Sequence, residues 1–93
     1  MATMTQDTIE QRLHSLNGWT LTPGGIRKQY RLKDFRAAVN LVNRIADLAE
    51  EANHHPDILI SYDRVTLTLV THDAGGITEK DFELAARIDA TTT

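Results

Sequence analysis

The apolar positions along this chain switch between two spacings. Over residues 34–52, Phe35, Ala38, Val39, Val42, Ile45, Ala46 and Ala49 recur three and four apart, while Arg36, Asn40, Asn43, Asp47 and Glu50 fall on the other side. That is the stripe of an amphipathic helix, and Pro56 forbids its continuation. On either side the period drops to two. Ile26, Tyr30 and Leu32 alternate with Arg27, Gln29 and Arg31 as in a half-buried strand, with Lys28 interrupting the apolar side. Residues 19–22 read as a partner strand across the turn Pro23-Gly24-Gly25. Residues 58–62 and 65–71 read as a hairpin around Asp63-Arg64. If Tyr62 opposes Val65, then Ile60 opposes Leu67 and Ile58 opposes Leu69, so the large apolar residues share one face.

Punctuation marks two more helices. Thr5 is placed to cap a short helix with Asp7 in its first turn, Ile9, Leu13 and Leu16 as its stripe, and Asn17-Gly18 as its stop. Gly75-Gly76 breaks the last strand. Thr78-Glu79-Lys80-Asp81 then resembles a capping box, with Ile77 and Phe82 spaced as a hydrophobic staple, and Phe82, Ala85, Ala86 and Ile88 as the buried side. The order is α-ββ-α-ββ-α, an α+β domain with helices packed on an antiparallel sheet.

Composition narrows the function classes. Ninety-three residues make one domain, spanning 1–93. Ten basic against thirteen acidic side chains leave a formal charge of −3, which argues against a nucleic-acid backbone as the main partner. There is no cysteine, so disulfides, thiolate metal sites and cysteine nucleophiles are excluded. No cleavable N-terminal apolar run appears, and no stretch approaches the roughly 18 apolar residues of a membrane span. A small, soluble, cytoplasmic domain with no membrane partner is the expectation.

Chemistry gathers where the long helix ends. Two of the chain's four histidines stand together in Ala52-Asn53-His54-His55-Pro56-Asp57. Continuing the hairpin register outward brings His72 opposite His55, so three imidazoles collect at the open end of one hairpin, although Pro56 cannot donate to the ladder. Three readings compete for them. They could form a polar helix exit that caps the last carbonyls, a zinc site, or an acid–base cluster titrating near neutrality. Adjacent residues of an extended chain point in different directions, so His54 and His55 are poorly placed to share one ion, and no H-x-x-x-H spacing is present. Acid–base chemistry suits the cluster better than metal. Two carboxylates could support it. Glu50 lies one helical turn before His54, and Asp81 could fix a histidine tautomer while also serving the helix cap. His14 lies on the polar side of the first helix and has no assigned role; Trp19 reads as core or interface.

These residues resemble a known family. Glu50-x3-His54-His55-Pro56, then five residues to Tyr62, nine to His72 and eight to Asp81, is similar to the signature of the pterin-4a-carbinolamine dehydratases, and "GW" at 18–19 and "LKDFRAAVNLVNRIADLAEEAN" extend the likeness over nearly the whole chain. The resemblance implies a four-stranded antiparallel sheet with helices on one face. It implies dehydration of 4a-hydroxytetrahydrobiopterin or a similar pterin to the quinonoid dihydropterin, with no metal or organic cofactor, by a homodimer or homotetramer. His54, His55 and His72 match the family's catalytic positions. Asn53, His54, His55, Pro56, Thr71, His72 and Asp73 match its pterin-contact positions. Val70 and Asn53 depart from the serine and aspartate common there. Some relatives of this fold act instead as binding, assembly or dimerisation factors, which a chain retaining all three histidines has less reason to be.

Overall fold

A computed structural model describes residues 2–92. The strands β1 (Thr20–Thr22), β2 (Gly25–Arg31), β3 (Asp57–Ser61) and β4 (Arg64–Leu69) form one antiparallel sheet in the order β1-β2-β4-β3. The helices are α1 (Gln6–Leu13), α2 (Phe35–Ala52) and α3 (Glu79–Thr92). The element order is the α-ββ-α-ββ-α read from the sequence, and the α+β class with helices packed on the sheet holds.

Alternation decides which face of the sheet is covered. Ile26 and Tyr30 of β2 and Val65, Leu67 and Leu69 of β4 point to the same side, where they meet Ala38, Leu41, Ile45, Phe82, Leu84, Ala85 and Ile88 from α2 and α3. Lys28 interrupts this apolar side without being left as an uncompensated buried charge. Its Nζ lies 2.8 Å from Asp89 Oδ1 and sits over the Tyr30 ring. The same carboxylate also accepts from Trp19 Nε1 at 3.0 Å and from the Tyr30 hydroxyl. Trp19 is therefore core, fastened to the far end of α3.

Two helix faces differ from the expected ones. On α2 the buried stripe is Ala38, Leu41, Ile45 and Ala49, while Phe35 and Ala46 are exposed. Residues 35, 39, 42 and 46 also recur at helical spacing, so periodicity alone does not say which of two adjacent apolar stripes meets the sheet. On α3 Leu84 is buried and Ala86 is exposed.

The hairpin keeps its faces but not its register. Ser61 pairs with Arg64, Ile60 with Val65 and Ile58 with Leu67, two residues out of step with the expected pairing of Tyr62 with Val65. The turn is Tyr62-Asp63, with Tyr62 taking the left-handed φ of 54° that a tight two-residue hairpin needs. A shift of two preserves parity, so Ile58 and Ile60 still lie on the side of Val65 and Leu67. It does change what lies at the open end. The ladder stops at Asp57 and Thr68 in this pair, and His72 does not lie on a strand opposite His55; it opens a 3-10 turn at His72–Ala74.

Candidate functional site

The end of α2 delivers the histidine pair. Asn53 adopts the left-handed conformation at φ 50°, its N–H donates to the Glu50 carbonyl, and the His54 N–H donates to the Ala49 carbonyl at 3.0 Å. This is a Schellman closure with asparagine in place of the usual glycine. The last carbonyls are thus capped by backbone N–H groups, and neither imidazole is spent on capping. The reversal turns His54 inward, where it is 8 % exposed, and leaves His55 outside. Pro56 then starts the chain toward β3.

His54 meets the start of α3. Its Nε2 lies 2.6 Å from Asp81 Oδ1, and Asp81 is fully buried. The second oxygen of that carboxylate, Oδ2, accepts from the Thr78 N–H at 2.9 Å and from the Thr71 hydroxyl at 2.9 Å. Asp81 therefore closes the helix cap and holds a histidine at once, and the histidine it holds is His54. The other supporting carboxylate is placed differently from expectation. Glu50 does not reach His54; its Oε2 lies 2.5 Å from His55 Nε2 at the surface, because the turn at Asn53 swings His54 away and folds His55 back over the last helical turn.

His72 arrives from the other segment. An isolated bridge between Thr71 and Gly76 closes the loop that carries it, and Gly75, at φ 78°, ends the 3-10 turn. His54, His55 and His72 line one open recess of about 200 Å³ together with Asn53, Val70, Thr71, Asp73 and Lys80. The convergence read from the hairpin thus survives the change of register. Pro56 is not in the lining, and Glu50 and Asp81 stand behind the histidines. Thr71 lines the recess, but its hydroxyl is turned away toward Asp81 and Thr78. Lys80 and Thr78 were read from the sequence only as members of the capping box and not as part of the site. Their one signal there was position, beside Asp81 at the start of α3.

The tautomer of His54 follows from its neighbours. A carboxylate accepts only, so in the neutral ring the proton lies on Nε2, toward Asp81, and Nδ1 carries the lone pair. No Nδ1 hydrogen bond is formed, and no described side-chain nitrogen or oxygen is both buried and unpartnered. Nδ1 is therefore open to a ligand. Among the described residues no three His, Cys, Asp or Glu side chains are grouped to hold a metal ion; His54 and His55 face apart.

Fold and recess together define a small α+β protein with three imidazoles around one open site. The chain matches the family described as Pterin 4 alpha carbinolamine dehydratase over residues 2–91. A protein of Acidobacterium capsulatum, provisionally named a pterin-4-alpha-carbinolamine dehydratase, is 54 % identical over 97 % of this chain and 98 % of its own length. One of Roseiflexus sp. with the same provisional name is 53 % identical over 96 % and 97 %. The crystal structure of a transcriptional coactivator/pterin dehydratase from Brucella melitensis superposes with a TM-score of 0.92 at 32 % identity, covering 98 % of this chain and 99 % of that one. A pterin dehydratase-like protein identified as a RuBisCO assembly factor in the alpha-carboxysome superposes at 0.67 with 25 % identity, over 83 % and 92 %. This chain belongs to the pterin-4a-carbinolamine dehydratase family.

Proposed function

We propose that the protein dehydrates 4a-hydroxytetrahydrobiopterin, or a related 4a-hydroxytetrahydropterin, to the quinonoid dihydropterin and water, and so recycles the pterin cofactor of an aromatic amino-acid hydroxylase in the cytoplasm. Family membership supports the reaction class. The observation that carries the reading is the recess in which His54, oriented by Asp81, faces the same space as His55 and His72.

The reaction breaks the C4a–O bond and forms a C4a=N5 double bond. One proton must reach the departing hydroxyl and one must leave N5, so the two transfers balance and no oxidant or metal is required. His54, with a bare Nδ1, is the candidate base for N5. His72, from the opposite segment, is the candidate acid for the hydroxyl. His55, paired with Glu50 at the rim, would position the ring, with Asn53, Pro56, Thr71 and Asp73 around it. A positioned acid or base contributes about 10²–10⁴-fold, enough for a modest barrier. The protein would work as a homodimer or homotetramer. Phe35, 53 % exposed on α2, and Leu59, 59 % exposed on the edge strand β3, support self-association.

The test is the dehydration of freshly generated 4a-hydroxytetrahydropterin. Acceleration by the wild-type chain, reduced by about 10–10⁴-fold in each of His54→Ala and His72→Ala, is the expected result. Full activity in all the histidine variants would remove the histidines from the mechanism, and no acceleration by wild type would favour the alternative of a non-catalytic binding, assembly or dimerisation factor; the same fold occurs in a protein identified as a RuBisCO assembly factor.

A further inference from the structure

Behind His54 lies a chain of hydroxyls whose protons can all be assigned. Thr71 Oγ1 lies 2.9 Å from Asp81 Oδ2, and since a carboxylate only accepts, the Thr71 proton points there. Thr71 Oγ1 also lies 2.7 Å from Thr78 Oγ1. Having one proton and having spent it, Thr71 must accept in this second bond, so Thr78 donates. The Thr78 oxygen in turn receives the Lys80 N–H at 3.3 Å. Every proton runs one way: Lys80 N–H to Thr78, Thr78 to Thr71, Thr71 to Asp81, with His54 Nε2–H arriving from the other side.

Burial makes this direction matter. Thr78 and Asp81 are fully buried and Thr71 is 7 % exposed, so a donor lost among them leaves a buried partner unmet at a desolvation cost. Thr71 has no proton left to donate to a ligand. Its N–H donates to the Gly76 carbonyl, and its own carbonyl accepts from the Ala74, Gly75 and Gly76 N–H groups.

We infer that Thr78 and Thr71 are positioning residues that act through Asp81 to keep His54 in the tautomer with Nδ1 free for the substrate. The inference deepens the proposed function by changing the part of Thr71, from touching the pterin to orienting its base, and by adding to Thr78, so far only the cap of α3, a part in the site. The kinetic arm rests on the dehydratase reading; the spectroscopic arm does not, because it reads the resting protein.

Thr71→Val and Thr78→Val remove the hydroxyls at nearly constant volume, and Thr78→Ser restores one. Thr71→Val leaves the cap of α3 intact, so it carries the test if Thr78→Val fails to fold. With wild type, ¹⁵N NMR of His54 at alkaline pH should show one protonated and one bare ring nitrogen. In folded Thr71→Val that pattern should average between tautomers, and kcat should fall by about tenfold, the scale on which partners standing behind a ligating or catalytic histidine act, while KM changes little. Thr78→Ser should match wild type in both readouts. Because the two hydroxyls form one chain, the double valine variant should lose little more than Thr71→Val alone. A folded Thr71→Val that keeps the single-tautomer pattern or the wild-type kcat overturns the inference, as does a loss that falls on KM alone. If wild type does not accelerate dehydration at all, the proposed reaction fails and the NMR pattern alone decides the positioning.

Discussion

His54 and His55 are neighbours in the chain, yet one is buried against Asp81 and the other stands in solvent beside Glu50. The difference originates in Asn53, whose left-handed φ turns the pair about. Asparagine tolerates that conformation better than other residues with a side chain, and glycine tolerates it fully. Asn53→Gly should therefore keep the fold and its stability within about 1 kcal/mol, whereas Asn53→Val should cost about 1–2 kcal/mol by denaturant titration. Asp81→Asn touches more. It removes an acceptor that His54, Thr71 and the Thr78 N–H all share in a fully buried place. The expected cost is about 2–4 kcal/mol of stability, with loss of activity beyond what the lower folded fraction explains. His14 is exposed at the C-cap of α1 and lines none of the recess, so His14→Ala should leave both quantities unchanged.

At the level of elements, what the sequence made legible was parity and period, and what it hid was choice among equivalents. The strand faces were readable because Val65, Leu67 and Leu69 alternate with polar residues. The register was not, since a slip of two residues leaves each side chain on its face, and only the left-handed backbone of Tyr62 selects between the two. The face of α2 was ambiguous for a similar reason, with two adjacent apolar stripes on one helix. Gathering of the three histidines was readable because it needed only that β3 and β4 pair. The pairing of Glu50 with His55 depended on the three-dimensional turn at Asn53, which residue spacing does not encode. Two element-level tests follow. Gly25 sits at φ 140°, and a Cβ there would lie 2.2 Å from the Leu69 carbonyl oxygen; Gly25→Ala should destabilise by at least about 2 kcal/mol. The Tyr30 phenol is held well above the usual tyrosine range, first by burial and then by the Asp89 carboxylate it donates to. A group raised in the folded state stabilises fully below its unfolded pKa and loses that contribution as pH rises past it. Wild type should thus exceed Tyr30→Phe in stability at about pH 8 and lose part of that margin by about pH 11; a margin that grows with pH would contradict the assignment.

For the whole molecule, one polar cluster fastens each end of α3. Asp89 collects Trp19, Lys28 and Tyr30 at one end, and Asp81 collects His54, Thr71 and Thr78 at the other. The first joins the helix to β1 and β2; the second joins it to the site. Arg12, in a forked pair with Glu79, ties α1 to the same helix start, which lowers the Glu79 carboxyl below its ordinary range. No helix among the described residues is long and apolar enough to cross a membrane. The exposed Phe35 and Leu59 make self-association testable, and Phe35→Glu with Leu59→Lys should shift the mass measured by light scattering toward the monomer. Chelation should leave the dehydration rate unchanged, since the mechanism assigns both proton transfers to imidazoles; loss with EDTA that zinc restores would replace acid–base catalysis with a metal.

The proposed reaction turns on His54 as the Asp81-oriented base, and one measurement bears on it directly: the dehydration rate of a 4a-hydroxytetrahydropterin with wild-type protein and with folded His54→Ala, followed as the quinonoid product forms. A wild-type acceleration that falls by about 10²-fold or more in His54→Ala, with the fold intact by circular dichroism, is the predicted result. Equal rates for the two proteins would contradict it.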